Sequence, residues 1–221
     1  KTIKKHVKNK SFIDLFAGVG GMSNGFISEG FTLKGIIEID THFYNTFIKN
    51  HIILNPDCFI NGDITHSKIK NMLSDKLYSQ KIGVIIGGPP CQGVSLAGWR
   101  NVNDSRNQLF NDFIDVVNNF QPEFFVMENV LGLLSMQKGE LLKQIISKFE
   151  EIGYFVNSPI KLKAEEFGVP QKRRRCFIIG SKNQIIIDEI HPLFSDSEES
   201  LPNPVSVEEA IGSLPPLLDN S

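Results

Sequence analysis

Hydrophobic and polar positions alternate with two different periods along most of this chain. Short apolar runs bounded by Gly, Asp or Pro (SFIDLF, LKGIIEI, CFING, GVIIGG, EFFVMEN and CFIIGS) read as buried strands of a parallel sheet. Between several of them lie amphipathic stretches of helical length. In NQLFNDFIDVVNNF, the residues Leu109, Phe110, Phe113, Ile114, Val117 and Phe120 fall on one face. GELLKQIISKFEEIGY repeats the pattern with Leu141, Leu142, Ile145, Ile146, Phe149 and Ile152. This alternation predicts an α/β fold with a doubly wound, mostly parallel sheet. In such sheets ligands sit beyond the carboxyl ends of the strands, which directs the search to the loops there.

Composition narrows the class. A chain of 221 residues, 41% of them hydrophobic, suits one sizeable domain with a packed core. No apolar run reaches the roughly 18 residues that span a bilayer. The opening KTIKKHVKNK is basic but lacks the apolar stretch of a secretory signal. Cys58, Cys91 and Cys176 stand far apart, offering neither a disulfide framework nor a zinc site, and point to a reducing, cytoplasmic compartment.

Charge is unevenly placed. The total of −2 combines 23 Lys plus Arg with 25 Asp plus Glu. Residues 188–221 hold eight of the acids and no Lys or Arg, which leaves 17 acids against 23 bases, a net of +6, in residues 1–187. The expected organisation is therefore a basic domain over 1–187, suited to attract phosphate, followed by an acidic, Pro-rich extension over 188–221. Within the extension SVEEAIGSL predicts one short helix with Ser206 as its N-cap.

Four loops carry candidate chemistry. After SFIDLF, the residues Gly18, Gly20 and Gly21 permit a tight turn and expose bare backbone, while Ser23 replaces the third glycine of a dinucleotide fingerprint. Glu38 ends the second strand, where an acid can accept from ribose hydroxyls, and Asp63 follows the third, where it can accept from an adenine amino group. Three such features after successive strands suit an adenosine cofactor. The second loop, GGPPCQGVSLAG, sets Cys91 in a Pro- and Gly-built turn, which argues against a core role, whereas Cys58 and Cys176 on apolar strands read as structural. The run through Trp99, Arg100 and Arg106 is suited to act as a mobile lid. Glu128 closes the strand EFFVM, where a carboxylate can donate a proton once burial raises its pKa. Finally, strand alternation in QKRRRC sends Arg173 and Arg175 to one side and Arg174 to the other.

In order and spacing, FIDLFAGVGG, GGPPCQGVS, MENV and QKRRRCFIIG resemble four motifs of the cytosine-5 DNA methyltransferase family, across about residues 11–181. The resemblance implies the sheet of the S-adenosylmethionine-dependent methyltransferases, S-adenosyl-L-methionine as cofactor, double-stranded DNA as partner and a restriction–modification setting at the bacterial nucleoid. It implies that Cys91 attacks C6 of a flipped cytosine and that Glu128 bonds and protonates N3. Arg175 would bind O2, with Arg173 supporting nucleophile and base. Phe16, Gly18, Gly20, Glu38, Ile39, Asp63, Ile64, Pro90 and Leu109 would line the cofactor site, and Gln92, Ser95, Arg100 and Arg106 would belong to the lid and nucleic-acid side. No metal is implied. The family's target-recognition domain and its final cofactor-site motif have no counterpart here. A second polypeptide supplying them, or a truncation, is the resulting expectation. An RNA cytosine-5 methyltransferase and a non-catalytic DNA-binding fragment remain as alternatives.

Overall fold

The computed structural model describes residues 2–51, 59–90 and 109–215. Its centre is an eight-stranded sheet formed by β1 (Ser11–Leu15), β2 (Thr32–Glu38), β3 (Phe59–Asn61), β4 (Val84–Gly87), β5 (Phe124–Val130), β6 (Phe155–Val156), β7 (Ile160–Lys163) and β8 (Arg174–Ser181). The spatial order is β3-β2-β1-β4-β5-β8-β6, with β7 also paired to β8. The first five strands pair in parallel. They carry continuous apolar runs because both faces are covered, and every residue of β1 is buried.

Two apolar layers flank the sheet. On one face Phe12, Ile36, Val84 and Ile86 meet Met22, Phe26 and Ile27 of α2 (Gly21–Ser28) and Phe47 of α3 (Thr41–Asn50). On the other, Ile13, Leu15, Ile85 and Phe125 meet Leu73 of α4 (Ser67–Lys76) and the predicted stripes of α5 (Leu109–Phe120) and, except for Ile146, of α6 (Glu140–Glu151). Phe125 stacks on Phe149 of α6, with ring centroids 3.8 Å apart, which ties helix to strand at the middle of this layer.

One expectation fails here. CFIIGS lies within β8, and β8 is antiparallel to β5, with Glu128 opposite Phe177 and Val130 opposite Arg175. A continuous apolar run reports burial on both faces, not strand direction. β8 reverses because it enters through short antiparallel pairings with β6 and β7, with no crossover helix between them. Those two strands carry no clear apolar run and are absent from the sequence reading.

The extension includes α7 (Val207–Ile211), capped by Ser206 in a capping box: Glu209 N–H donates to the Ser206 hydroxyl, and Ser206 N–H to the Glu209 carboxylate. Upstream, Ile187 N–H donates to Asn157 Oδ1, and the Leu193 and Phe194 N–H groups both donate to the Glu166 carbonyl. Among the described residues no helix is long and apolar enough to cross a membrane.

Candidate active site

The strand order converts separate sequence motifs into one row. Along the carboxyl edge of β3-β2-β1-β4-β5 lie Asp63 and Ile64, then Glu38 and Ile39, then the turn from Phe16 to Gly20, then Gly88 to Pro90, then Glu128. Antiparallel β8 brings its beginning to the same edge. An eight-residue strand spans roughly 25 Å, so a parallel β8 would have left its arginines at the opposite edge. Leu109 opens α5, which returns from this edge to the start of β5. Cys91, Gln92, Ser95, Arg100 and Arg106 lie outside the described residues, as does Cys58.

The turn after β1 is built on strained backbone. Phe16 has φ +60°, uncommon for a side-chain-bearing residue, followed by Gly18 at +56° and Gly20 at +92°. The two glycines serve different ends. A Cβ on Gly20 would stand 2.6 Å from His51 and 2.8 Å from Phe47, so Gly20 lets the turn seat on α3. Among the described residues a Cβ on Gly18 would meet nothing within 4 Å, so bare backbone there faces open space.

Beneath the turn lie two buried carboxylates. Glu38 accepts from Gly18 N–H at 2.7 Å and from Asp40 N–H at 2.8 Å, one on each oxygen. Each oxygen keeps a second lone pair for a ribose hydroxyl. Asp14 Oδ2 accepts from the Ser23 hydroxyl at 2.6 Å, while its Oδ1 is buried with no hydrogen-bond partner among the described residues. Burial, with the neighbouring Glu38 charge adding to it, pushes the Asp14 carboxyl up to about 7 against the pull of its Ser23 hydrogen bonds. Gly20 sits at the N-cap of α2 without a side chain, and Ser23 is in the first turn. Asp14 on the adjacent strand thus does the work of the missing cap. The residue that spoils the glycine fingerprint is the one that makes this link.

Further along, Asp63 Oδ1 accepts both the N–H and the hydroxyl of Thr65, leaving Oδ2 for an amino donor. Burial works to raise its pKa, but the Thr65 hydrogen bonds and His66 outweigh it and hold the carboxyl below its usual range. Asn61, not singled out in the sequence, donates to the carbonyls of Glu38 and Ile39 at 2.8 and 3.2 Å and fixes the backbone between the two acids. Ile39 is 62% exposed beside them. Open space over Gly18, with acceptors at Glu38 and Asp63, fits an adenosine-bearing cofactor such as S-adenosylmethionine.

At the other end of the row Glu128 meets two cations. Arg175 Nε lies 2.9 Å and Arg173 Nη2 3.4 Å from Glu128 Oε1. The alternation that set these two arginines on one side is observed, and Arg174 lies on the other, in a cavity walled by Lys163 and Phe194. A Cβ on Gly88 would be 3.3 Å from Glu128 Oε2, so this carboxylate borders the turn leading to Cys91. Asn129, buried beside it, donates to the Pro89 carbonyl at 2.8 Å and latches that turn to β5. Cys176 is buried in β8, with its thiol directed to the carbonyls of Asn129 and Val130.

A mostly parallel sheet with a glycine turn, two acids and a carboxylate–arginine cluster along one edge defines an S-adenosylmethionine-dependent methyltransferase fold. The sequence profile of the C-5 cytosine-specific DNA methylases matches residues 10–220, and the chain belongs to that family. It is 42% identical over 209 residues to Type II methyltransferase M.DdeI of Desulfomicrobium norvegicum, covering 93% of this chain and 48% of that protein. Against Type II methyltransferase M.AquIA of Picosynechococcus it is 36% identical over 227 residues, covering 94% of this chain and 90% of the relative. The crystal structure of a putative DNA modification methyltransferase encoded within a prophage (E. coli) superposes with a TM-score of 0.74 at 34% identity, covering 95% of this chain and 56% of that one. The chain thus spans about half the length of most curated relatives it matches.

Proposed function

We propose that this chain is the catalytic half of a DNA cytosine-5 methyltransferase that works through a covalent adduct at Cys91. The observation that carries the reading is the Glu128 carboxylate, held by Arg175 and Arg173 beside the turn that leads to Cys91. Because C5 and C6 of a paired cytosine are enclosed in the duplex, the base has to be flipped to this edge.

Phe16, Gly18, Gly20, Glu38, Ile39, Asp63, Ile64, Pro90 and Leu109 would hold the cofactor, which supplies an electrophilic methyl group. The Cys91 thiolate forms a bond to C6, and the electrons of the C5–C6 double bond shift toward C5 and the ring. Glu128 gives a proton to N3, so that this charge does not build on the ring. Arg175 donates to O2, and Arg173 keeps carboxylate and base aligned. After C5 takes the methyl group, leaving the cofactor as its demethylated thioether, solvent water accepts the C5 proton. The C–H electron pair re-forms the C5–C6 double bond and expels the Cys91 thiolate, and N3 returns its proton to Glu128. Gln92, Ser95, Arg100 and Arg106 would close over the base and meet the phosphates.

The reading includes a second half, supplied by a further segment or a separate polypeptide, which carries target recognition and completes the cofactor site. Curated relatives of twice the matched length support it, and M.AquIA, matched over nearly its whole length, supports a separate chain. Duplex DNA containing 5-fluorocytosine tests the chemistry, because fluorine at C5 cannot leave as a proton does. With S-adenosylmethionine and the second half supplied, a denaturation-resistant protein–DNA adduct is expected. An equal yield from Cys91→Ser overturns the assignment.

A further inference from the structure

The extension after β8 exposes apolar surface out of proportion to its length. Among the described residues twelve large apolar side chains are exposed, and Ile186, Ile190, Leu193, Val207, Ile211 and Leu214, half of them, fall within residues 186–214. This segment is anchored. Asn157 and the Glu166 carbonyl hold its upstream part, and the Phe194 ring packs where a Cβ on Gly168 would stand 3.1 Å away.

Helix α7 sharpens the point. It is five residues long, buries no residue of its own, and relies on the Ser206–Glu209 capping box. So short a helix is marginal in water without tertiary packing. Yet Val207 and Ile211, four apart, share one face of α7 and are 57% and 52% exposed, and Leu214 just beyond the helix is 64% exposed. A capped helix that turns its apolar ridge to solvent is built to be covered.

We infer that α7 and the adjoining acidic strip are the docking surface for the second half of the enzyme, which meets them with an apolar groove flanked by Lys and Arg. The inference rests on the two-part reading above and names the face that joins the parts. Charge selects the occupant: residues 188–221 carry eight acids and no Lys or Arg, which repels nucleic acid and steers a basic polypeptide surface. Length agrees, because M.DdeI is about twice the matched length.

The test co-expresses this chain with the part of M.DdeI that the match leaves uncovered. A 1:1 complex is expected by sedimentation, weakened at least 100-fold in the Val207→Glu/Ile211→Glu double variant and several-fold on raising salt from about 0.1 to 0.5 M. Neither side chain is buried, so the variant should keep the melting temperature and S-adenosylmethionine binding of the parent. No complex with the parent chain, or a complex the double variant leaves intact, overturns the inference. So does self-association of the chain, or duplex-DNA binding, that the double variant abolishes. Complex formation without a 5-fluorocytosine adduct would instead sink the catalytic reading and leave the docking face standing.

Discussion

The two ends of the candidate site are made differently. Around β1 and β2 the working atoms are mainly backbone N–H groups and carboxylates, set by strained dihedrals at Phe16, Gly18 and Gly20. Around β5 and β8 they are side chains from opposed strands, brought together by the antiparallel pairing of Val130 with Arg175. The first end is a local device that one stretch of sequence nearly completes. The second exists only once the sheet has closed. Substitutions at the glycine end should therefore register in stability and cofactor affinity, and those at the arginine end in turnover with the fold intact.

The sharpest test of that contrast is Arg175→Ala. It should lower kcat/KM of the complete enzyme on the order of 10²–10³-fold while leaving the melting temperature nearly unchanged. A large drop in melting temperature would break the contrast. Gly20→Ala should do the reverse, costing about 3 kcal/mol in urea denaturation, because the added methyl meets His51 and Phe47 in a left-handed backbone.

Asp14→Asn tests the buried acid. The folded chain holds the Asp14 proton up to about pH 7, far above an unfolded aspartate. The stability this group contributes is therefore fully present below about pH 4 and is lost as pH rises through 7, on the order of 4 kcal/mol. Urea titrations at pH 4 and 8 should show that loss in the parent and not in the Asn variant. An identical pH slope in both would defeat the assignment.

Smaller effects complete the comparison. Arg173→Ala, at the longer 3.4 Å contact, should cost turnover about tenfold less than Arg175→Ala. Gly18→Ala should cost only about 1 kcal/mol of stability, since its Cβ meets nothing, while S-adenosylmethionine binding read by calorimetry falls strongly.

Much of this was legible in the residues. Strand and helix periods located β1 to β5, α5 and α6, because burial on both faces of a sheet leaves an unbroken apolar run. Glycines at 18 and 20, acids at 38 and 63, and the paired arginines were visible as types at the ends of those runs. Asp14 was not, because an acid inside an apolar strand looks like an interruption until Ser23 is found 2.6 Å away. Asn61 and Asn129 were missed for a similar reason: their partners are backbone carbonyls at the ends of neighbouring strands, 22 to 40 residues away along the chain.

By itself the sequence determined which apolar runs are buried, where glycines permit a tight turn and which side chains carry charge or nucleophile, since these follow from local chemistry and period. Tertiary structure alone decided the direction of β8. Strand direction depends on how the chain crosses the sheet, and an apolar run reads the same either way. That reversal is why Arg173 and Arg175 stand at Glu128 and not a strand's length away.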